Sequence, residues 1–259
     1  MSDRTIVAQK VSFEVQGARL VSEVDLVVSP GELVAVIGPN GAGKSTLLIL
    51  VSGTVRPTTG SVFLNGIDTS QTVPADLALE RSILTQREAA DIPYTAAQVV
   101  AMGRFPHRRD EANTREQDEA AISDAMVQTA TTQFANRLYA TLSKGEQTRV
   151  ALARVIAQAT PIILLDEPTT ALDVAHQERI MRRAVALANQ SKTVVAVLHD
   201  LNAAAVHADR IIVMSRGGIA ADGSPHDVLQ ADLLTEVYEQ PMVVVDLPFR
   251  DCPLVLTSE

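Results

Sequence analysis

The sequence predicts an α/β fold: a mainly parallel sheet covered on both faces by helices, a smaller antiparallel sheet beside it, and an inserted helical lobe. Three observations carry that expectation. Short Val/Ile/Leu runs alternate with helix-length stretches. Shorter, glycine-punctuated runs crowd the upstream part. Between about Arg87 and Ala140, β-branched runs give way to Ala, Glu, Arg and Gln, a helix-favouring composition. With 259 residues, 46% of them apolar, the chain is long enough for one well-buried domain and a smaller lobe.

In chain order, "VSFEVQG", "VDLVV" and "GSVFLNG" suit short antiparallel strands. Glu32–Ile37, Ile162–Leu165, Thr193–Leu198 and Ile211–Met214 are continuous apolar runs, the pattern of strands buried on both faces. Between them lie expected helices at Lys44–Val51, Gln147–Ala159, Ala175–Asn189 and Leu201–Ala208. The tail "PMVVVDLPFRDCPLVLTS" reads as two short strands around a proline-marked turn.

Composition excludes several classes. No run approaches the ~20 apolar residues of a spanning helix, and "MSDRTIVAQK" has no apolar stretch of signal-peptide type. A single cysteine, Cys252, rules out an internal disulfide and fits a reducing compartment. A net charge of −9 disfavours a general nucleic-acid coat, so no nucleic-acid partner is expected.

The chemistry starts at "GPNGAGKST". Gly38, Pro39, Asn40, Gly41, Ala42, Gly43, Lys44 and Ser45 satisfy G-x-x-x-x-G-K-[ST], between an expected buried strand and an expected helix. Glycines let the backbone wrap phosphate oxygens with its N–H groups, and the helix adds the positive end of its dipole. Lys44 would neutralise the β and γ phosphates, Ser45 would ligate Mg²⁺, and Thr46 could support the loop. "PIILLDEP" puts Asp166 and Glu167 at a strand end, where ligands gather in open α/β sheets. Asp166 could hold the metal's water shell; Glu167 could orient or deprotonate the attacking water. "VVAVLHD" delivers His199, expected near the γ-phosphate, and Asp200, expected to cap the next helix.

These pieces, in this order, resemble the nucleotide-binding subunit of an ATP-binding cassette (ABC) transporter. The resemblance covers nearly the whole chain. It adds a Q-loop glutamine, Gln86, in "ILTQ", which would sense the metal. It also adds the signature "LSKGEQ" (Leu142, Ser143, Lys144, Gly145, Glu146, Gln147) and the D-loop "ALD" from Ala171 to Asp173. The resemblance implies a P-loop NTPase core with an antiparallel β subdomain and an inserted α-helical subdomain. Its RecA-like core would span about 1–86 and 160–240, the helical subdomain about 87–159, and a short C-terminal β extension about 241–259. It further implies ATP and Mg²⁺ as cofactors and a head-to-tail homodimer whose signature loop faces the partner's ATP. Two permease subunits and a peripheral position on the cytoplasmic face of the membrane complete the implied assembly.

Two positions depart from the family pattern. Lys144 replaces the first glycine of the common L-S-G-G-Q, while Ser143 and Glu146 form S-x-x-E, a capping box that would start a helix locally. The aromatic residue that commonly stacks adenine falls near Val15, with Phe13 two residues earlier. The segment "RSILTQREAADIPYTAAQVVAMGRFPHRR" resembles importer ATPases for haem, iron–siderophores and cobalamin, closest to the hemin branch. That implies a permease fed by an extracellular or periplasmic haem-binding protein. Gly103, Arg104, Pro106 and His107 would then lie near the permease contact, with His107 a solvated histidine beside Arg108 and Arg109.

Overall fold

The structure is a computed structural model describing residues 5–85, 93–109, 113–170, 172–248 and 250–258. Its centre is a six-stranded sheet of β3 (Leu33–Ile37), β6 (Arg81–Leu84), β7 (Ile162–Asp166), β8 (Thr193–Val197), β9 (Arg210–Ser215) and β10 (Gly218–Gly223). Their spatial order is β10-β9-β3-β8-β7-β6, parallel throughout except for the antiparallel β9–β10 pair. A second sheet packs β1 (Ile6–Val15), β2 (Ala18–Val28), β4 (Thr59–Leu64) and β5 (Ile67–Asp68) in the antiparallel order β2-β1-β4-β5.

The continuous apolar runs are explained by what covers each face. In β3, Leu33, Ala35 and Ile37 join one cluster, while Val34 and Val36 join another on the opposite side. The first cluster is closed by helices α5 (Lys144–Ala157), α6 (Val174–Ala188) and α7 (Leu201–His207). The second packs the antiparallel sheet and α1 (Lys44–Val51) against the other face. Helix α2 (Pro74–Glu80) leads directly into the edge strand β6.

A third apolar cluster belongs to the expected helical lobe. It joins α3 (Ala96–Ala101), α4 (Arg115–Gln128) and α5 around Val99, Val100, Met126, Tyr139 and Val150. Gly103, in the 3-10 turn after α3, approaches so closely that a Cβ there would lie 2.3 Å from the Arg154 carbonyl oxygen. Arg104 is buried beside it, donating to Asp118 (2.7 Å), the Ala157 carbonyl (2.9 Å) and Asn113 (3.1 Å). His107 is not simply solvated: its Nε2 sits 2.8 Å from the Gln158 carbonyl, which anchors the turn to the end of α5.

Downstream, α8 (Pro225–Val228) and α9 (Ala231–Tyr238) precede a hairpin of β11 (Met242–Val245) and β12 (Leu254–Thr257), the two expected tail strands. Among the described residues no helix is long and apolar enough to cross a membrane.

Candidate functional site: a phosphate-binding loop among three strand ends

Strand β8 lies between β3 and β7, so three neighbouring parallel strands deliver their C-terminal ends to one place. The loop from Gly38 to Gly43 follows β3, Asp166 ends β7 with Glu167 next, and His199 follows β8. Adjacent strands in register hold these groups on one edge of a rigid sheet, the position where open α/β sheets bind ligands.

The loop needs glycine for two reasons. Gly38 has φ +144° and Gly43 φ +99°, conformations that L side chains rarely adopt. Both are also pressed against backbone: an added Cβ would lie 2.2 Å from the Met214 carbonyl oxygen at Gly38 and 2.4 Å from that of Leu20 at Gly43. Gly43 stands at the N-cap of α1 without any side-chain cap, so the helix's first N–H groups remain available to an anion.

Lys44 is buried, its ammonium donating to the carbonyls of Gly38 (2.7 Å) and Pro39 (2.9 Å). Burial holds it below the usual lysine range, against the opposing pull of Glu167 and Asp166. The Ser45 hydroxyl donates to Asp166 Oδ1 at 2.8 Å. Burial pushes Asp166 above the usual carboxylate range and the negative Glu167 adds to this, while Ser45, Lys44 and His199 oppose it.

Glu167 is held from three sides. Its backbone is left-handed at φ 50°, its N–H donates to Val197 at 3.1 Å, and Thr170 donates to its Oε2 at 3.2 Å. Its Oε1 lies 2.5 Å from His199 Nε2. Asp200 is the N-cap of α7, accepting from Asn202 (2.8 Å) and Ala203 (3.0 Å), as its place in the sequence suggests.

The donor set fits the expected cofactors. An alcohol and a carboxylate already in contact, Ser45 and Asp166, are hard oxygen ligands of the type Mg²⁺ takes. The 200 Å³ hollow that Ser45 borders is walled by Leu20, Asn40 to Thr46 and Glu167 and carries the buried cation Lys44, a charge that suits a polyphosphate.

The remaining candidates fall in different places. Gln86 and Ala171 lie outside the described residues. Asp173 caps α6, accepting from the His176 N–H at 2.9 Å, and both its oxygens lie 2.8 Å from His176 Nδ1. The signature segment corrects the expected helix start: α5 begins at Lys144, not Gln147, and ends at Ala157. The cause is the capping box itself. Ser143 N–H donates to Glu146 Oε2 (2.7 Å) and Glu146 N–H to Ser143 Oγ (3.3 Å), drawing Lys144 and Gly145 into the first turn. The bond from the Ser143 backbone holds Glu146 below the usual carboxylate range. Leu142 is buried, and Gln147 donates to the Tyr139 carbonyl at 3.1 Å. Lys144 is exposed on the rim of a 370 Å³ cleft that also reaches Asp166 and Glu167 of its own chain.

Phe13 does not face the loop. It packs against the apolar cluster beneath the antiparallel sheet, and Val15 is exposed at the end of β1. The residue of that sheet which lines the loop's hollow is Leu20. Sequence reasoning missed it; the available signal was an apolar residue 38% exposed on β2, which only the fold turns toward the loop.

Fold and site together define a nucleotide-hydrolysing α/β domain. The chain belongs to the ABC transporter family, whose model matches residues 21–170, and it is an ATP-binding and ATP-hydrolysing subunit of that family. Among its relatives are hemin import ATP-binding proteins HmuV. The one from Nocardia farcinica is 46% identical over 98% of this chain and 87% of its own length. That from Rhodococcus jostii is 44% identical over 97% and 86%. A solved inward-facing ABC transporter assigned to the metal-chelate type superposes with a TM-score of 0.84 at 25% identity, covering 100% of this chain and 98% of the other. A bacterial ABC transporter cassette solved as a dimer, MJ0796, gives 0.77 at 31% identity over 85% and 98%.

Proposed function

We propose that this chain powers import of haem through a membrane permease, working as a homodimer on the cytoplasmic face with one ATP at each of two shared sites. The observation that carries the catalytic part is the convergence of Lys44, Ser45, Asp166, Glu167 and His199 at three adjacent strand ends. Haem as cargo is supported by the names of the relatives, which match almost the full chain. An iron–siderophore or cobalamin cargo is the alternative, and no residue of this chain is assigned to touch either.

In this reading the loop from Gly38 to Thr46, through its N–H groups at every position but Pro39, and the Lys44 ammonium hold the β and γ phosphates. Mg²⁺ would be held by Ser45, Gln86 and Asp166, and would supply charge neutralisation on the phosphates. Glu167 orients water and takes its proton. His199 fixes the Glu167 carboxylate, which already meets its Nε2 at 2.5 Å. Leu142 to Gln147 face the partner's ATP, with Lys144 adding positive charge there and Asp173 carrying the D-loop contact. Leu20 borders the nucleotide in place of an aromatic residue. The described helical lobe and terminal hairpin correspond in this reading to subdomains of about 87–159 and 241–259.

The test is Mg-ATP hydrolysis by the chain co-purified with its permease in lipid vesicles, with and without a haem-loaded binding protein. Haem-dependent stimulation that disappears in Glu167→Gln supports the whole reading. Turnover without a haem effect moves the cargo to siderophores or cobalamin; absence of turnover in every condition overturns the catalytic assignment.

A further inference from the structure

A second hollow, of 270 Å³, opens between α4 and α5 of the helical lobe and α6 of the core. The chain's net charge is −9, yet this hollow is strongly basic: Arg149 comes from α5, and His176, Arg179, Arg182 and Arg183 from α6. No carboxylate stands among its described lining residues. Arg179 and Arg183 are four residues apart, so they share one helix face, where like charges repel; His176 on the same face is paired with Asp173.

Two of these arginines are left wanting. Arg182 is answered by Glu178, whose carboxylate accepts from its Nε at 2.6 Å. Arg149 and Arg183 each carry a buried Nε with no hydrogen-bond partner among the described residues. Arg149 donates from Nη1 to the Ala130 carbonyl at 3.2 Å and lies 5.1 Å over the Phe134 ring, contacts that leave its Nε–H open. Burial holds both guanidinium groups below their usual range; at Arg149, Glu146 and Asp173 counter this and the charge of Arg179 reinforces it. A buried N–H that has given up water without replacement is uncommon and unfavourable. A group that restores the bond and neutralises the charge would relieve both defects at once.

We propose that this hollow binds a small multivalent oxyanion, a phosphate or diphosphate group, between Arg149 and Arg183 with Arg179 at its mouth. Planar guanidinium forks suit such oxygens, and Leu152 and Ile180 provide an apolar floor for whatever the phosphate is attached to. The site bridges two functional helices. Arg149 rides on the helix that Ser143 caps and Arg183 on the helix that Asp173 caps, so an occupant couples the signature segment to the D-loop segment and slows turnover. Only that kinetic consequence rests on the proposed ATPase cycle; binding does not.

The experiment titrates inorganic pyrophosphate into the full chain by calorimetry, after saturation with ADP to fill the phosphate loop. One further site is expected, weakened at least tenfold in Arg183→Gln and in the exposed-position variant Arg179→Gln. Unchanged ADP affinity in both variants shows that they fold. No heat in the ADP-saturated wild type, or equal pyrophosphate affinity in wild type and both variants, overturns the proposal. Sedimentation with phosphatidic acid vesicles, absent with phosphatidylcholine alone and lost in Arg183→Gln, assigns the phosphate to a lipid headgroup. Pyrophosphate binding without such sedimentation assigns it to a soluble ligand. If pyrophosphate binds yet leaves turnover unaltered, the site stands and its control of the cycle falls.

Discussion

Replacing Gly38 and Gly41 separately by alanine should divide what the phosphate loop does for stability from what it does for binding. At Gly38 the methyl would sit 2.2 Å from the Met214 carbonyl oxygen on a backbone with φ +144°. The backbone strain costs about 1–3 kcal/mol and the forced overpacking about 1–3 more. The sum, about 2–6 kcal/mol, is a large share of the ~5–15 kcal/mol that holds a domain folded. At Gly41 φ is +81°, but nothing lies within 4 Å of the added carbon. Only the left-handed penalty of about 1–2 kcal/mol applies. That methyl would instead stand in the hollow where phosphate oxygens must approach the backbone, and ATP should bind at least tenfold more weakly, about 1.4 kcal/mol. Urea denaturation monitored by circular dichroism gives the first quantity, and titration with a fluorescent ATP analogue the second. If Gly41→Ala binds ATP as wild type does, or Gly38→Ala loses less stability than Gly41→Ala, the assignment of roles within the loop is wrong.

Further outcomes follow from other parts of the molecule. Glu167→Gln should retain ATP binding while steady-state phosphate release drops by roughly 100-fold or more, the range for losing a positioned base. Lys144→Gly should leave hydrolysis within several-fold of wild type; a hundredfold rise would show that the native signature loop is impaired. Ser143→Ala should destabilise the chain by about 1 kcal/mol through loss of the α5 cap, read from the same urea transitions. Because burial raises Asp166, the native chain keeps that proton to a higher pH than the unfolded chain does. Its contribution to stability therefore falls as pH climbs from about 4 through the raised value. Unfolding measured across that window should show Asp166→Asn gaining on wild type as pH rises; a constant difference would refute the assignment.

The central strands were legible because β3, β7, β8 and β9 are packed from both faces and so carry no polar alternation. The site's core was legible for a related reason: a motif between a buried strand and a helix has one place to go. The edge strand β6 was not, since "RSIL" is short and mixed. Its buried Ser82 is accounted for only by a bond from Thr160, 78 residues away. The Ser143–Glu146 capping box was legible and is present, and it sets the start of α5 at Lys144, three residues before the range read from the helix pattern alone. The basic hollow was hidden altogether. Arg149 and Arg183 are 34 positions apart, on two helices whose meeting is a property of the tertiary packing.

The contact between Ser45 and Asp166 sets what an arriving metal ion must displace. With Lys44 resting on two carbonyls and Glu167 on His199, the charged side chains of the site already satisfy one another, whereas the first N–H groups of α1 have no side-chain cap. Nucleotide binding is therefore an exchange of partners at these side chains, with new partners added along the loop backbone. Its net free energy is the difference between two well-bonded arrangements, small compared with the sum of the new contacts. Two arrangements close in free energy are what allow a cassette to be cycled between them.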